Sequence, residues 1–235
     1  MEIFMNSRQT EIIDFLKSGS KSIKEISGTL FIGEMTVRRE LKLLEDEGIV
    51  TKYRGIVTLS PENTDVSYEL RRDVLQAEKA ELAKKAMSFL DKDQLIFVDG
   101  STTCRHLVPE IAKYRNSVVV TNSLMMALDL SRSGVNVKIA PGKIDDFEKS
   151  VIGCDAVRYI ENFNFDVAFF SGKGFDDEKI TDSNEEQIHI RKTVMERSKK
   201  SVFMMDSSKK NKLYPFTVAN LEDIILIKTE DGENA

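Results

Sequence analysis

Six short apolar runs between residues 95 and 227 restrict the folds open to this chain of 235 residues. Each run is rich in β-branched or aromatic residues, and stretches with helical periodicity separate most of them. Such an alternation is typical of parallel strands that are covered on both faces. The runs are LIFV at 95–98, SVVV at 117–120, VNVKIA at 135–140, DVAFF at 166–170, SVFMM at 201–205 and IILI at 224–227. They predict an open, mostly parallel α/β sheet of the Rossmann-like kind.

Polar turns follow five of these runs. Because ligands of open α/β sheets bind at the carboxyl ends of the strands, the turns form a candidate site. Each turn alone is also what any strand-to-helix connection requires. Together, their hydroxyls, backbone N–H groups and lysines favour a small anionic ligand, and the first turn is predicted to open a helix that would attract a phosphate. The residues are Asp99, Gly100, Ser101, Thr102 and Thr103; Thr121, Asn122 and Ser123; Pro141, Gly142 and Lys143; Ser171, Gly172, Lys173 and Gly174; and Asp206, Ser207, Ser208 and Lys209.

The segment before the first run divides into three parts. Residues 1–59 form one predicted domain, and residues 60–67, which begin Ser60-Pro61, have the polarity of a linker. From Tyr68 to Phe89 the apolar spacing predicts one long amphipathic helix that opens a second domain, 68–235.

The first 59 residues predict three helices followed by a hairpin. Arg8–Ser18 has helical spacing, and Ser22–Glu25 is a capping box that opens a second helix. Phe31-Ile32-Gly33 then predicts a tight turn before a helix at Gly33–Gly48. Two β-rich runs around Arg54-Gly55 predict a hairpin. This order of elements is that of a winged helix-turn-helix.

The helix at Gly33–Gly48 has two different faces. Val37, Leu41 and Leu44 make an apolar stripe, while polar side chains lie on the other side. Arginine can bond guanine in the major groove and threonine can contact a thymine methyl, so the polar face suits DNA. The alternative is a solvated face whose cations pair with Glu34, Glu45 and Asp46. The candidate DNA-binding residues are Thr36, Arg38, Arg39 and Lys42, with Lys52, Tyr53 and Arg54 from the hairpin.

The charge distribution bears on this hypothesis. The net charge is −5, and residues 1–60 hold equal numbers of basic and acidic residues, so the negative charge lies entirely in the remainder. DNA binding would therefore depend on the local basic patch and be sensitive to salt. We expect a homodimer or homotetramer that binds paired half-sites.

Other classes of protein receive little support. Cys104 and Cys154 are far apart and lack C-x-x-C spacing, so we expect no metal site or disulfide and two buried or semi-buried thiols. The sequence contains no apolar run of membrane-spanning length and no signal-peptide pattern, so we expect a cytoplasmic protein without a membrane partner. Nothing in the sequence indicates a cofactor.

The amino-terminal motifs resemble those of one known family. The matching residues are Arg8, Ile12, Leu16 and Ile26, the run T-V-R-R-E-L at Thr36–Leu41, then Leu44-Glu45 and Gly48. This pattern resembles the DeoR family of bacterial transcriptional regulators. Gly33 stands where the family usually has a capping Ser, and Arg54-Gly55-Ile56 replaces a usual His-Gly-Gly. The resemblance implies binding to a double-stranded DNA operator.

The second domain resembles the sensor domain of the same family. The matches are Glu78-Lys79, Ala83, Ala86, D-x-x-T-T at Asp99–Thr103, Thr121-Asn122, Ser150 and Gly153, Gly172 and Gly174, and Asp206-x-Ser208-Lys209. The resemblance implies a fold like that of ribose-phosphate isomerases and a phosphorylated sugar or related metabolite as ligand. It implies Thr102 and Thr103 for phosphate, Asp99 and Asn122 for sugar hydroxyls, and Lys209 for the anion or a hydroxyl. The family's usual Glu aligns closest to Gln187, with Glu186 one residue away, and Glu186 is kept as a candidate.

The sequence therefore favours a repressor of a carbohydrate-metabolism operon whose operator binding responds to a phosphorylated sugar. Two alternatives stay open. One is a DNA-binding protein with a ligandless dimerisation module. The other is an isomerase-type enzyme that uses Asp99, Glu186, Asp206 and Lys209, although acids at strand ends are equally explained by hydroxyl binding or helix capping.

Overall fold

A computed structural model describes residues 6–17, 21–46, 49–53, 55–59, 68–72, 74–114 and 116–229. The chain divides into two compact units, residues 1–70 and 71–235. The predicted linker at 60–67 lies outside the described residues, so its boundaries stay a prediction.

The first unit is a winged helix-turn-helix. Its helices are α1 (Ser7–Lys17), α2 (Ile23–Leu30) and α3 (Glu34–Asp46), and its strands are β1 (Lys21–Ser22), β2 (Val50–Tyr53) and β3 (Ile56–Leu59). The strands form an antiparallel sheet in the order β1-β3-β2. Ile12, Ile26, Val37, Leu41 and Leu44 are fully buried in one core. The predicted capping box is confirmed, because Glu25 N–H donates to Ser22 Oγ at 3.2 Å and Ser22 N–H donates to the Glu25 carboxylate at 2.7 Å.

The second unit alternates helices with strands. Its elements are α4 (Tyr68–Arg72), α5 (Gln76–Ala86), β4 (Leu95–Val98), α6 (Val108–Ile111), β5 (Val118–Thr121), α7 (Leu124–Arg132), β6 (Asn136–Ile139), β7 (Lys143–Asp145), β8 (Ser150–Ile152), α8 (Cys154–Ile160), β9 (Val167–Phe170), β10 (Gly174–Phe175), β11 (Lys179–Asp182), α9 (Glu185–Glu196), β12 (Ser201–Met205), β13 (Phe216–Asn220) and β14 (Ile225–Lys228); α4 begins before the boundary at residue 71.

The predicted parallel sheet is confirmed. Its order is β14-β12-β9-β4-β5-β6, and every neighbouring pair is parallel. Alternate side chains of its central strands enter separate cores on the two faces, with Phe97 and Phe170 in one core and Ile96 and Phe169 in the other. The chain runs outward from β4 through β5 to β6, and then continues on the other side of β4 with β9. The switch point of the sheet, where a crevice opens between strand ends, therefore lies between β4 and β9.

The predicted single helix at Tyr68–Phe89 is wrong. Leu75 has a left-handed backbone with φ of 50°, so α4 ends before it and α5 starts after it. A turn of 3₁₀ helix, Met87–Phe89, then closes α5. The helical spacing of apolar residues continues across Leu75, so it gave no sign that the helix ends there. Such spacing shows which residues are buried, but it does not show where the backbone turns.

Two further expectations need correction, and one part of the topology was not predicted. The turn at Asp99–Thr103 opens a 3₁₀ turn, Cys104–Leu107, and not the predicted α-helix, so it lacks a full helix dipole. The turns after β6 and β9 lead into small antiparallel elements, the pair β7-β8 and the sheet β10-β11-β13. Cys104 is buried as expected, but Cys154 is exposed at the start of α8.

Among the described residues, no helix has both the length and the apolar character needed to span a bilayer.

Candidate DNA-binding face and effector site

The exposed face of α3 carries the predicted cations. Arg38, Arg39 and Lys42 project into solvent, and 56% and 69% of the two arginine side chains is exposed. Thr36 is half-buried beside them. Their spacing places Arg38, Arg39 and Lys42 on one side of the helix, opposite the buried stripe of Val37, Leu41 and Leu44.

Acidic neighbours hold several of these cations in the free protein. Arg38 lies 3.6 Å from Glu34, as the alternative interpretation expects, and Lys52 of the hairpin lies 3.0 Å from Glu45. Arg39 instead bonds Glu40 at 2.9 Å. Glu40 is buried, and hydrogen bonds from Asn6 and from Arg39 outweigh burial and lower its pKa.

The hairpin contributes less that can be described. Lys52 lies in β2, and Tyr53 ends that strand, but the Tyr53 side chain is outside the described part of the structure. Arg54 also lies outside the described residues. The DNA-binding roles of these three residues stay predictions.

At the switch point of the sheet, the carboxylate of Asp99 contacts both flanking strand ends. Asp99 follows β4 and accepts the N–H of Gly100 at 2.9 Å and, more weakly, the N–H of Ser171 at 3.5 Å. Ser171 follows β9. The first and fourth polar turns therefore meet where ligands of such sheets bind.

Arg191 is the cation that balances Asp99. Its guanidinium lies 3.2 Å from Asp99 and also bonds Asp182, and all three side chains are buried. Burial raises the pKa of Asp99, although Arg191 opposes this. Burial would also raise the pKa of Asp182, but Arg191 and Lys173 outweigh it and the pKa is lowered. Because the buried guanidinium pairs with both buried carboxylates, moving any one of the three side chains would leave a charge without a partner.

Lys173 extends this network towards the start of the unit. Its Nζ lies 3.7 Å from Asp182 and 3.6 Å from Glu148, and it donates to Ser183 Oγ at 2.8 Å. Glu148 also bonds the guanidinium of Arg71. The strand-end charges are thus connected, pair by pair, to α4.

Thr102 and Thr103, the predicted phosphate residues, each accept a hydrogen bond from a lysine. Lys79 Nζ donates to Thr102 Oγ1 at 3.2 Å, and Lys209 Nζ donates to Thr103 Oγ1 at 3.2 Å. Lys209 also lies 3.3 Å from Asp206 and donates to Ser171 Oγ at 2.7 Å. Burial would raise the pKa of Asp206, but Lys209 and the hydroxyl of Ser208 outweigh it and lower the pKa to about 2.

Asn122 presents an unsatisfied acceptor. Its Nδ2 donates to the carbonyl of Val151 at 3.2 Å and to Gln187 Oε1 at 3.1 Å. Its Oδ1 is fully buried and has no hydrogen-bond partner among the described residues. An amide flip would set the oxygen against the carbonyl of Val151, so the assignment follows from that partner. A buried acceptor without a protein partner is an atom that a ligand or water donor satisfies.

Among the described residues, Lys143 of the third polar turn pairs with Glu186 and not with the Asp99 network. Lys143 is mostly exposed and lies 3.9 Å from Glu186. Glu186 lines a cavity of about 220 Å³ together with Gly153, Cys154, Val157 and His189. No contact joins Lys143 or Glu186 to Asp99 in the part of the chain that the structure describes.

Close packing explains the glycines in the other turns. A Cβ on Gly174 would lie 2.1 Å from the carbonyl oxygen of Lys212, and one on Gly172 would lie 2.5 Å from Ile180 Cγ2. Gly142 has a φ of +146°, which only glycine adopts readily. Gly100 is less constrained, and its position beside Ser123 and Ser150 joins the Asp99 turn to the Asn122 turn.

Sequence reasoning missed the charges that complete the network. Arg191, Asp182, Glu148 and Lys79 received no role, although Lys79 was part of a recognised motif. One signal was present for Arg191, because Gln187 and Arg191 occupy the buried side of α9 together with Ile190 and Val194. Polar residues on an otherwise apolar helix face indicate a buried polar partner.

Comparisons with known proteins agree with this architecture. The family model for the DeoR-like helix-turn-helix domain matches residues 8–62, and that for the DeoR C-terminal sensor domain matches residues 75–231. The chain is 26% identical to an uncharacterised HTH-type transcriptional regulator of Haemophilus influenzae over 97% of this chain and 91% of that protein. It is 26% identical to the HTH-type transcriptional repressor GlcR of Bacillus subtilis over 97% of this chain and 89% of that protein.

A solved structure gives a weaker likeness. The chain is similar to ribose 5-phosphate isomerase A of Methanocaldococcus jannaschii with a TM-score of 0.43 and 12% identity, over 57% of this chain and 54% of that one. The two family models, in contrast, cover both units and include α3 and the strand-end turns. The chain therefore belongs to the DeoR family of DNA-binding transcriptional regulators.

Proposed function

We propose that this regulator is a repressor whose binding to operator DNA responds to a phosphorylated sugar held at the strand ends of the second unit. The observation that carries the proposal is the buried, unpartnered Oδ1 of Asn122. A ligand hydroxyl would supply the missing donor. The match of this unit to the DeoR C-terminal sensor domain supports a small-molecule effector, and one relative is named as a putative aga operon transcriptional repressor of Escherichia coli.

The phosphate would bind at the two threonine hydroxyls. Thr102 and Thr103 are adjacent in sequence, and each is already bonded by a lysine. A phosphate between them would accept hydrogen bonds from both hydroxyls and from Lys79 and Lys209. Such charge-assisted bonds are the strong ones in proteins. This arrangement does not depend on the helix dipole that the sequence predicted and the structure lacks.

Ligand binding could reach the DNA-binding unit through α4. Lys79 Nζ donates to the carbonyl of Arg71 at 2.5 Å as well as to Thr102, so a phosphate at Thr102 competes for the same ammonium. Glu148 holds the guanidinium of the same arginine. We infer that ligand binding loosens α4, which follows the segment at 60–67. The coupling is effective only to the extent that the ligand prefers one of the two states.

A catalytic role has less support. Burial raises the pKa of Asp99, as a general base requires, but Arg191, Gly100 and Ser171 occupy its oxygens. The curated relatives are named as regulators or repressors. We therefore propose a sensor and not an enzyme.

Thermal unfolding of the full-length protein tests the ligand. The panel consists of phosphorylated sugars, each paired with its unphosphorylated parent. A ligand at a hundred times its dissociation constant stabilises by about 2.7 kcal/mol, a shift of about 5 °C. A shift with one phosphosugar and not with its parent is expected. A flat panel would favour the ligandless dimerisation module.

A variant assigns the site. We expect Lys209→Ala to keep DNA binding and to lose most of the thermal shift, because it removes a cation from the phosphate. Lys192→Ala, which removes an exposed lysine from α9, is the control and should respond like the wild type. A full response in Lys209→Ala would remove Lys209 from the site.

A further inference from the structure

Phe31 follows α2 in a backbone conformation that suits glycine better than phenylalanine, and its side chain is exposed. It caps α2 with a left-handed backbone, φ 53° and ψ 37°, and its N–H donates to the carbonyl of Ser27. Glycine or asparagine adopts this conformation at little cost, whereas a phenylalanine is strained in it. The side chain is also 95% exposed, so no packing within the described structure offsets the strain.

Met35 places a second apolar side chain nearby in the sequence, in the first turn of α3. It is 80% exposed. Met35, Arg38, Arg39 and Lys42 are spaced at i, i+3, i+4 and i+7, so they share one face of the helix. The cationic face of α3 is therefore apolar at its amino-terminal end, where a recognition helix contacts base edges.

Strained residues cluster at functional sites, so an exposed, strained side chain in the turn before a candidate recognition helix is a candidate for a contact made in the complex. Double-stranded DNA is the occupant that the surroundings favour, because Met35 shares a face of α3 with Arg38, Arg39 and Lys42, and Phe31 lies in the turn that leads into that helix. In the major groove the apolar feature of a base edge is the 5-methyl group of thymine, and phenylalanine is among the side chains that contact it.

We propose that Phe31 and Met35 read thymine methyl groups in the operator and so determine part of its sequence. The inference rests on the assignment of α3 as the recognition helix. The two side chains add apolar readout to hydrogen bonding by arginine, and they explain why the turn keeps a phenylalanine in a conformation that suits glycine.

The test uses the full-length protein and duplex DNA enriched by it from a random-sequence library. Each thymine of the enriched site is replaced singly by deoxyuridine, which lacks only the methyl group. For the wild type, at least one replacement in each half-site should weaken binding about fourfold, the loss expected for one buried methyl group. In Phe31→Asn or Met35→Gln this loss of affinity, the uracil penalty, should disappear, so that the thymine duplex and the deoxyuridine duplex bind equally.

Two controls separate the possible results. Leu128→Gln removes an exposed apolar side chain from α7 and should keep the uracil penalty. Phe31→Asn should unfold at the same or a higher temperature than the wild type, because asparagine relieves the strain. A clear fall in unfolding temperature, or loss of self-association without loss of the penalty, would overturn the proposal by showing that Phe31 packs within the protein or against a second copy.

The outcomes also distinguish failure of the role of Phe31 and Met35 from failure of the assignment of α3 as the recognition helix. An enriched site at which no thymine is sensitive to uracil overturns the role of Phe31 and Met35 and leaves α3 as the recognition helix. An enriched site whose binding survives Arg38→Ala together with the two apolar substitutions overturns both assignments.

Discussion

Arg38 lies 3.6 Å from Glu34 with 56% and 43% of the two side chains exposed, whereas Arg191 lies between Asp99 and Asp182 with 9%, 2% and 3% exposed. Both sites pair guanidinium groups with carboxylates. In water the pair contributes little and breaks easily, so its cation is available to a DNA phosphate or base. In the sheet the same pair cannot be separated cheaply, because each charge has lost its water. Exposed charges thus suit a surface that exchanges partners, and buried charges suit a site that must keep its shape.

The largest effect on stability should follow from removing the cation of the buried network, Arg191. Arg191→Met leaves Asp99 buried without its cation and Asp182 with Lys173 alone, and we expect the free energy of unfolding of the second unit to fall by about 3–5 kcal/mol. Urea denaturation measures the change. Arg132→Met, which removes an exposed arginine from α7, should change it by less than about 0.5 kcal/mol. A loss below about 1 kcal/mol for Arg191→Met would show that the two buried carboxylates do not depend on this cation.

Removing the exposed cations should act mainly on DNA binding, with a smaller effect on stability because Arg39 also pairs with buried Glu40. We expect Arg38→Ala with Arg39→Ala to weaken binding to the enriched duplex by roughly 2–4 kcal/mol, since one good base contact contributes ~1–3 kcal/mol. Lys84→Ala with Lys85→Ala, an adjacent exposed pair on α5, is the matched control. Arg38→Ala alone leaves the partner of Glu40 in place and so separates a lost contact from lost stability. Unchanged affinity in the double variant would end the assignment of α3 as the recognition helix.

Acid should reveal how firmly Asp206 is held in its ionised form. Its folded pKa is about 2 and its ordinary value is 3.8, so its ionised form stabilises the fold fully above the ordinary value. That stabilisation is lost as the pH falls through the folded pKa. Asp206→Asn should therefore flatten the acid limb of stability against pH, by on the order of 2 kcal/mol between about pH 5 and pH 2. Identical acid limbs in the two proteins would show that the pair with Lys209 does not hold the carboxylate charged.

The smallest effect should come from relieving an exposed pair. Glu34→Gln frees Arg38 at a cost in stability of about 0.3–0.5 kcal/mol and should tighten DNA binding about twofold, because the competing carboxylate is gone. Glu81→Gln disrupts a comparable pair with Lys85 on α5 and should leave DNA affinity unchanged. Equal behaviour of the two variants would mean that Glu34 does not compete with DNA for Arg38.

Local and layered features could be predicted from the sequence. The capping box at Ser22–Glu25 was predicted because its two partners lie three residues apart. The parallel strands were predicted because burial on both faces leaves continuous apolar runs. The meeting of the Asp99 and Ser171 turns followed from the rule that strand ends share an edge, although the roles of these residues stay predictions.

The misses have a common physical cause. The break at Leu75, the exposure of Cys154 and the 3₁₀ turn after Thr103 all depend on how neighbouring elements pack. Phe31 likewise stood in a predicted turn with no sign that it would be strained and exposed. Periodicity reports average burial along one segment and carries no information about the segment packed against it.

By itself, the sequence determined the two architectures, the cationic helix and the polar edge of the sheet, because short-range spacing and runs of apolar residues specify them. Only the tertiary structure decided which charges pair. Arg191 and Asp99 are separated by 92 residues, and their contact exists because α9 packs across the switch point of the sheet. It also decided that Asn122 Oδ1 lacks a partner among the described residues. Whether a buried acceptor finds a donor depends on all the groups that surround it, and these groups come together only when the chain folds.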